Sequence, residues 1–184
     1  ALQAWLECRQ AYPSLRLILV PRHRERFDSV AAMIRDAGVE LVRRSSLEGE
    51  IRSVPGAVIL LDTIGELSAC WGLADIAFVG GSFGNRGGQN MIEPAAFGAA
   101  VLFGPNTWNF RDVVHAFKEA DACIQLREPE ELAPTLARLL SDSAQRKSLG
   151  NAAQNAVVAQ AGATARTATL LAEVLKAPPM QKNL

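Results

Sequence analysis

The sequence has few of the residues that bind metals or form disulfides. Its two histidines, His23 and His115, lie far apart, and its three cysteines, Cys8, Cys70 and Cys123, form no C-x-x-C pair. Unpaired cysteines in apolar surroundings are typical of buried thiols in a reducing compartment. We therefore expect neither a structural metal site nor a disulfide framework.

Long apolar runs and an excess of one charge are also missing. No run approaches the roughly 20 residues of a membrane-spanning helix. The 19 basic and 19 acidic residues balance to a net charge of zero, whereas nucleic-acid-binding proteins usually carry a basic excess. The sequence begins without Met, and its start shows no secretory signal. We expect a soluble piece of a longer protein that does not bind nucleic acid.

Short apolar runs alternate along the chain with segments of helical periodicity. Six of these runs are predicted to be strands: Leu15–Val20, Val39–Val42, Ala57–Leu61, Asp75–Val79, Ala99–Phe103 and Ala122–Leu126. The alternation is typical of βαβ units, whose parallel sheet is covered by helices on both faces. It predicts one doubly wound α/β domain over residues 1–176, followed by a loose tail at 177–184.

Four unusual loops each follow a predicted strand. They are "PRHRER" at 21–26, "DTIGEL" at 62–67, "GGSFGNRGG" at 80–88 and "GPNTWNF" at 104–110. The carboxyl ends of parallel strands lie along one edge of a sheet, and open α/β sheets bind ligands in the crevice at that edge. We therefore expect the four loops to converge on a binding site.

The loop at 80–88 is predicted to bind an anion. It holds five glycines, which let backbone N–H groups approach a ligand closely. A helix predicted from about Gln89 would direct its free N–H groups and positive dipole end into the crevice. The loop matches neither the Walker A nor the G-x-G-x-x-G pattern. A flexible loop without a ligand is the alternative.

Several polar side chains in these loops have both a binding and a structural interpretation. Glu93 could accept hydrogen bonds from ribose, or simply place negative charge near a helix N-terminus. Arg22 and Arg24 could pair with phosphate or carboxylate, or form a solvated helix entry. Asp62 could be a helix N-cap. His23 is interpreted as a hydrogen-bonding loop residue.

The fourth loop adds two amides but no catalytic group. Asn106 and Asn109 could contact a ligand, or Asn109 could cap the helix that begins at Phe110. Ser82 does not lie in a G-x-S-x-G motif, and no acidic pair is placed for acid–base chemistry. The sequence indicates a binding pocket without a catalytic base.

The quoted motifs resemble a known family. "LVPRHRERF", "DTIGEL" and "ADIAFVGGSFGNRGGQNMIEPAAFGAAVLFGPNTWNF" resemble, in this order, the C-terminal half of 3-deoxy-D-manno-octulosonic acid (Kdo) transferase. The resemblance implies one half of a GT-B fold, in which the C-terminal domain binds CMP-Kdo. The N-terminal domain, absent from this chain, would carry the membrane anchor, the lipid A precursor site and the catalytic base.

The resemblance also implies a set of donor-binding residues, no metal and a location. The donor would be bound by Arg22, His23, Gly80, Gly81, Ser82, Gly87, Gly88, Gln89, Asn90, Glu93, Gly104, Pro105, Asn106 and Asn109. No cofactor beyond the CMP-Kdo substrate is implied. The whole protein would act in lipopolysaccharide biosynthesis at the cytoplasmic face of the bacterial inner membrane, and this fragment would not catalyse transfer alone.

The chain departs from the family pattern at three positions. Gln89 and Asn106 stand where the family usually has His, and Met91 stands where it usually has Pro. These changes leave the backbone of the glycine loop intact but remove two imidazoles. The remaining alternatives are another GT-B transferase or epimerase that uses a UDP-sugar, and a non-catalytic nucleotide-binding module.

Overall fold

The computed structural model describes residues 1–47, 56–160, 169 and 171–173. Its strands are β1 (Leu17–Leu19), β2 (Leu41–Arg43), β3 (Val58–Leu60), β4 (Ile76–Val79), β5 (Ala100–Phe103) and β6 (Cys123–Gln125). Its helices are α1 (Leu2–Cys8), α2 (Phe27–Asp36), α3 (Leu67–Trp71), α4 (Ile92–Ala96), α5 (Arg111–Glu119), α6 (Leu132–Ser141) and α7 (Ser143–Gln160). The six predicted strands are all present, and each begins and ends within two residues of its predicted bounds.

The strands pair in parallel, as predicted, but they form two sheets instead of one. The first sheet has the order β1-β3-β2, with Ile18 opposite Ile59 and Val42 opposite Ile59. The second has the order β4-β5-β6. Because β1 and β4 are not hydrogen-bonded to each other, the single continuous sheet that the alternating pattern predicted is divided at this point.

Strand β5 shows that the second sheet is covered on both faces. All four of its residues are fully buried. Leu102 packs with α6, whereas Phe103 packs with Val114 and Phe117 of α5. Since successive side chains of a strand point to opposite faces, helices cover both sides. The predicted doubly wound α/β class is confirmed.

Helix α1 lies across both sheets. Its Trp5 belongs to the core formed with Val58 and Leu60 of β3. Its Ala4 belongs to a different core, formed with Ala100 and Leu102 of β5. The helix therefore holds together two sheets whose own strands do not pair.

The three cysteines are free thiols. Cys8 is buried, as predicted, while Cys70 and Cys123 are half-buried. Burial raises the pKa of the Cys123 thiol to about 11, so this thiol stays protonated at neutral pH.

The C-terminal part of the chain begins with the predicted helix, which the structure places at Ser143–Gln160. Residues 169 and 171–173 are also helical. The remainder of the predicted second terminal helix and the predicted tail at 177–184 lie outside the described residues.

Gly150 allows α7 to approach the turn that precedes β5. A Cβ at this position would overlap the carbonyl oxygen of Gly98, and backbone cannot move aside as a flexible side chain can. We expect Gly150→Ala to lower the free energy of unfolding by about 1–3 kcal/mol, as overpacking does. Replacing Gly by Ala inside a helix usually raises the free energy of unfolding by up to about 1 kcal/mol. The expected change therefore has the opposite sign to the one that helix propensity alone predicts. Urea denaturation measures the difference.

Asn155→Ala is the matched control on the same helix, because Asn155 is exposed. There the helix propensity of Ala acts alone, and we expect no loss of stability. A Gly150→Ala protein as stable as the Asn155→Ala protein would contradict the predicted overlap.

Candidate functional site

A cleft of about 390 Å³ opens where β1 and β4 end. One wall comes from the loop after β1 and the other from the glycine loop after β4. The lining residues are Val20, Pro21, Arg22, His23, Arg26, Gly80, Gly81, Gly84, Asn85, Arg86 and Gln89. The structure thus brings together two of the four predicted loops, and with them five of the predicted site residues: Arg22, His23, Gly80, Gly81 and Gln89.

The charge of the cleft has one sign. Three guanidinium groups, those of Arg22, Arg26 and Arg86, are among its lining residues, which include no Asp or Glu. None of the three forms an ion pair with a carboxylate of the described residues. Clustered cations without a protein counter-ion attract an anionic ligand, and guanidinium forks match phosphate and carboxylate oxygens.

Gly87 fixes the shape of the glycine loop. Its φ is +73°, in the left-handed region that disfavours other residues. A Cβ there would also overlap the side chains of Trp108 and Asn109. The loop is closed by a hydrogen bond of 3.0 Å from Gly88 N–H to the Gly81 carbonyl. This closure presents Arg86, at the tip of the loop, to the cleft.

Asn106 and Asn109 hold the glycine loop from behind. The Asn106 amide Nδ2 donates to the Phe83 and Gly84 carbonyls, each at 3.3 Å. The Asn109 Nδ2 donates to the Arg86 carbonyl at 2.8 Å. Neither residue lines the cleft, and Asn109 does not cap α5. The structure therefore gives both amides a loop-positioning role, and their predicted ligand contacts stay predictions.

Ser82, Gly104 and Pro105 also lie behind the cleft. Ser82 is fully buried; its hydroxyl donates to the Val79 carbonyl and accepts from Gly104 N–H, both at 2.8 Å. The Gln125 Nε2 donates to the carbonyls of Gly104 and Pro105 at 3.4 and 3.3 Å. These contacts join the ends of β4, β5 and β6, which makes the glycine loop part of a stiff sheet edge.

The helix predicted from Gln89 begins later than expected. Helix α4 has only five residues and starts at Ile92, because the Asn90 Oδ1 accepts a 3.0 Å hydrogen bond from the Ile92 N–H. The prediction that this helix points its N-terminus into the crevice from Gln89 is wrong. The cationic side chains, with the glycine loop, are the cleft's remaining means of binding an anion.

Glu93 lies on α4, outside the cleft lining. Its carboxylate accepts hydrogen bonds from Asn90 Nδ2 at 2.8 Å and from the Ser68 hydroxyl at 3.3 Å. These bonds tie α4 to α3. A role of Glu93 in binding ribose stays a prediction.

Comparisons with known proteins show which proteins the chain resembles. No family model matches it. It is 40% identical over 91% of its length to the 3-deoxy-D-manno-octulosonic acid transferase of Bordetella pertussis, of which it covers 39%. It is 37% identical over 90% of its length to the transferase of the same name from Haemophilus influenzae, of which it covers 38%. The chain spans about two fifths of the length of these relatives.

A solved structure places the match within those longer proteins. The C-terminal CMP-Kdo binding domain of WaaA from Acinetobacter baumannii superimposes with a TM-score of 0.77 at 28% identity, covering 85% of this chain and 80% of that domain. The chain is a homologue of the C-terminal part of the Kdo transferases. The resemblance stated from the motifs is confirmed over this length.

Sequence reasoning missed part of the cleft of this Kdo transferase homologue. Arg24 was singled out with Arg22, but the structure places Arg26 in the lining. Residues 24–26 form a single 3-10 turn that follows an extended His23, and this local backbone, which the sequence pattern did not reveal, places both Arg22 and Arg26 in the lining. Arg86 was also missed, although a cation placed among five glycines was a readable signal.

The "DTIGEL" loop of the Kdo transferase homologue does not reach the cleft lining. Its Asp62 is buried and accepts hydrogen bonds from Ser45 N–H at 2.8 Å, Ser45 Oγ at 2.6 Å and Arg43 Nε at 2.6 Å. The predicted N-cap role of Asp62 is wrong, because Glu66 occupies the N-cap position of α3. Asp62 instead joins the ends of β2 and β3.

The ionisation of Asp62 predicts a pH effect. Burial opposes its charge, but the hydrogen bonds from Ser45 and Arg43 outweigh burial and lower the pKa of Asp62 below its usual 3.8. A carboxyl with a depressed folded-state pKa stabilises the fold above the unfolded pKa and loses this contribution as the pH falls through the folded value. We expect Asp62→Asn to lower the free energy of unfolding by about 2 kcal/mol at pH 7.

That difference should persist down to about pH 4 and shrink only at lower pH, as urea denaturation at a series of pH values would show. Asp36→Asn is the control, because Asp36 is exposed and forms no ion pair with the described residues. If the stability difference between Asp62→Asn and the unaltered chain already shrinks between pH 7 and pH 5, the lowered pKa of Asp62 is contradicted.

Proposed function

We propose that the chain is the donor-binding part of a Kdo transferase. The whole protein would bind CMP-Kdo and transfer Kdo to a lipid A precursor in lipopolysaccharide biosynthesis. The cleft is the observation that carries this proposal: three guanidinium groups and no carboxylate line it. CMP-Kdo presents two anionic groups, a phosphodiester and the Kdo carboxylate, and fits a site with this charge. The WaaA domain with the same fold is described as a CMP-Kdo binding domain.

The arginines would act on the leaving group. When the bond between Kdo and phosphate breaks, negative charge grows on the departing CMP phosphate. Guanidinium groups already fixed around that phosphate stabilise this charge without reorganisation. A base that takes the proton from the acceptor hydroxyl would come from the N-terminal domain, so residues 1–184 alone would bind donor without transferring it.

We expect donor binding to need no divalent metal. The leaving group is a monophosphate, so it lacks the adjacent diphosphate oxygens that commonly chelate a metal, and three arginines supply positive charge. CMP affinity should be the same in EDTA as in millimolar Mg²⁺, as isothermal titration would show. Strict dependence on Mg²⁺ would count against this donor chemistry.

The site of action is part of the same proposal. Within the described residues, no helix is long and apolar enough to span a membrane. We place the whole protein at the cytoplasmic face of the bacterial inner membrane, with membrane and lipid contact made by the N-terminal domain.

Nucleotide choice tests the proposal directly. We expect CMP to bind the chain and UDP to bind at least roughly tenfold more weakly, a difference of 1.4 kcal/mol, by isothermal titration in the same buffer. Equal or tighter binding of UDP would favour a UDP-sugar enzyme and overturn the assignment of the donor.

A further inference from the structure

The arginine wall of the cleft, by which we mean residues 21–26, is an exposed turn. Its two lining cations, Arg22 and Arg26, are both exposed. Its hydrogen bonds are local: the Arg26 N–H donates to the His23 carbonyl at 3.0 Å, and the Ser29 hydroxyl donates to the Arg26 carbonyl at 3.0 Å. Exposed turns held by local hydrogen bonds belong to the least stable parts of a protein. The wall therefore needs an anchor elsewhere if its side chains are to keep one position.

A side chain outside the cleft links this turn to the sheet. Arg43, at the end of β2, donates from Nη1 to the Asp28 Oδ1 at 2.7 Å and from Nε to the Asp62 Oδ2 at 2.6 Å. Asp28 lies in the first turn of α2, two residues after Arg26. Among the described residues, no other hydrogen bond joins residues 21–28 to a part of the chain distant in sequence.

The far end of this link is firmly held. Asp62 has only 1% of its side chain exposed, whereas Asp28 has 88% exposed. The Asp62 carboxylate also accepts two hydrogen bonds from Ser45. In the same two loops, Arg44 pairs with Glu66 at 2.7 Å, which joins the ends of β2 and β3 a second time. The carboxylate of Asp62 is therefore a fixed point from which the exposed turn can be held.

Arg43 suits this role because of the shape of its side chain. A guanidinium is a planar fork whose separate N–H groups can bind two carboxylates at once. The ammonium of Lys is a point charge on a flexible stem, so it cannot bridge the same two carboxylates in this geometry. The buried Phe27 also holds the start of α2 in the core, but apolar contact has no direction, whereas hydrogen bonds do.

We propose that Arg43 is a positioning residue for donor binding. Arg43 does not line the cleft, and it acts by holding Asp28 to the buried Asp62. This link keeps the two lining cations of the arginine wall, Arg22 and Arg26, where the anionic donor meets them. The "DTIGEL" loop thus serves the cleft without reaching it. This inference rests on the proposed function, because the donor supplies the anion that the wall binds.

Substitutions at Asp28 separate positioning from a simple effect of charge. Removing a negative charge beside a cationic cleft strengthens its attraction for an anion, whereas loss of the link disorders the wall. We therefore expect Asp28→Ala to weaken CMP binding by about fivefold in isothermal titration. Asp28→Asn removes the same charge but keeps an oxygen that can accept from Arg43, so we expect it to weaken CMP binding by less than about twofold.

Asp36→Ala is the matched control at the other end of α2. Asp36 is exposed and forms no ion pair with the described residues, so its loss should not weaken CMP binding. Arg43→Lys keeps the charge and breaks the bridge, and we expect it to weaken CMP binding by about fivefold as well. Because Arg43→Lys and Asp28→Ala remove the same link, the double variant should lose no more affinity than either single variant.

Backbone ¹⁵N relaxation of the ligand-free protein observes the wall without any donor. In Arg43→Lys and in Asp28→Ala we expect the order parameters of amides 23–26 to fall from the roughly 0.85 of rigid backbone towards the roughly 0.6 of flexible backbone. The amides of the glycine loop at 84–88 should not change. Unchanged order parameters at 23–26 in both variants would overturn the proposal, and so would unchanged or tighter CMP binding in Asp28→Ala. If CMP binds neither the variants nor the unaltered chain, the proposed function fails, while the order parameters still decide whether Arg43 holds the wall.

Discussion

Replacing either Arg22 or Arg86 with Ala is expected to weaken CMP binding by about 10- to 100-fold. The two side chains lie on opposite walls of the cleft, so a phosphate between them would be contacted from both sides. A hydrogen bond to a charged group contributes about 1.5–3 kcal/mol, and each 1.4 kcal/mol is a factor of ten in affinity. Isothermal titration with CMP at fixed ionic strength measures the loss for each variant.

Arg35→Ala is the matched control for the loss of charge. Arg35 is exposed on α2 and does not line the cleft, yet its replacement removes the same unit charge. A general field effect would weaken CMP binding equally in all three variants and would fade together with rising salt. Equal weakening in the three variants would contradict a direct contact of Arg22 and Arg86 with CMP. Unchanged CMP affinity in both Arg22→Ala and Arg86→Ala would mean that the nucleotide binds outside this cleft.

Local sequence patterns were enough to find the strands and two walls of the cleft. The apolar runs that became β1 and β4 are bounded by Pro21 and by Gly80, and such residues end strands for backbone reasons. Because parallel strands end at one edge, Arg22 and Gly81 could be expected to meet. That step needed only periodicity and turn chemistry.

The roles of the asparagines could not be predicted in the same way. Asn106 and Asn109 lie close to the glycine loop, as expected, but their amides donate to carbonyls of that loop. An amide can serve a ligand or a backbone equally well, and the partner depends on loop geometry that no spacing rule gives. The helix start moved from Gln89 to Ile92 for a similar reason, since a side chain of Asn90 decided it.

The division of the sheet is the largest feature that the sequence did not predict. Six strand-like runs with helices between them suggested one continuous sheet, but strand order depends on contacts distant in sequence. The structure pairs β1 with β3 and β4 with β5, and it leaves a cavity of about 650 Å³ between β1 and β4. Periodicity identifies strands, but it does not show which strands pair.

The same division predicts that CMP affinity depends on how the two sheets are held together. The wall at 21–26 follows β1 and the wall at 80–89 follows β4, so the two walls belong to separate sheets. Helix α1 packs on both sheets, through Trp5 on the first and Ala4 on the second, and thereby helps to set the width of the cleft. A site fixed in advance binds more tightly than one that the ligand must order.

We therefore expect Trp5→Leu, which shrinks the side chain that α1 packs on the first sheet, to weaken CMP binding by about tenfold. Isothermal titration measures the loss at a temperature where circular dichroism shows each variant to be folded. Gln3→Ala is the control, because Gln3 is exposed on the same helix. Equal CMP affinity in both variants and in the unaltered chain would mean that α1 does not set the width of the cleft. Failure of CMP to bind any of them would refute the proposed donor site.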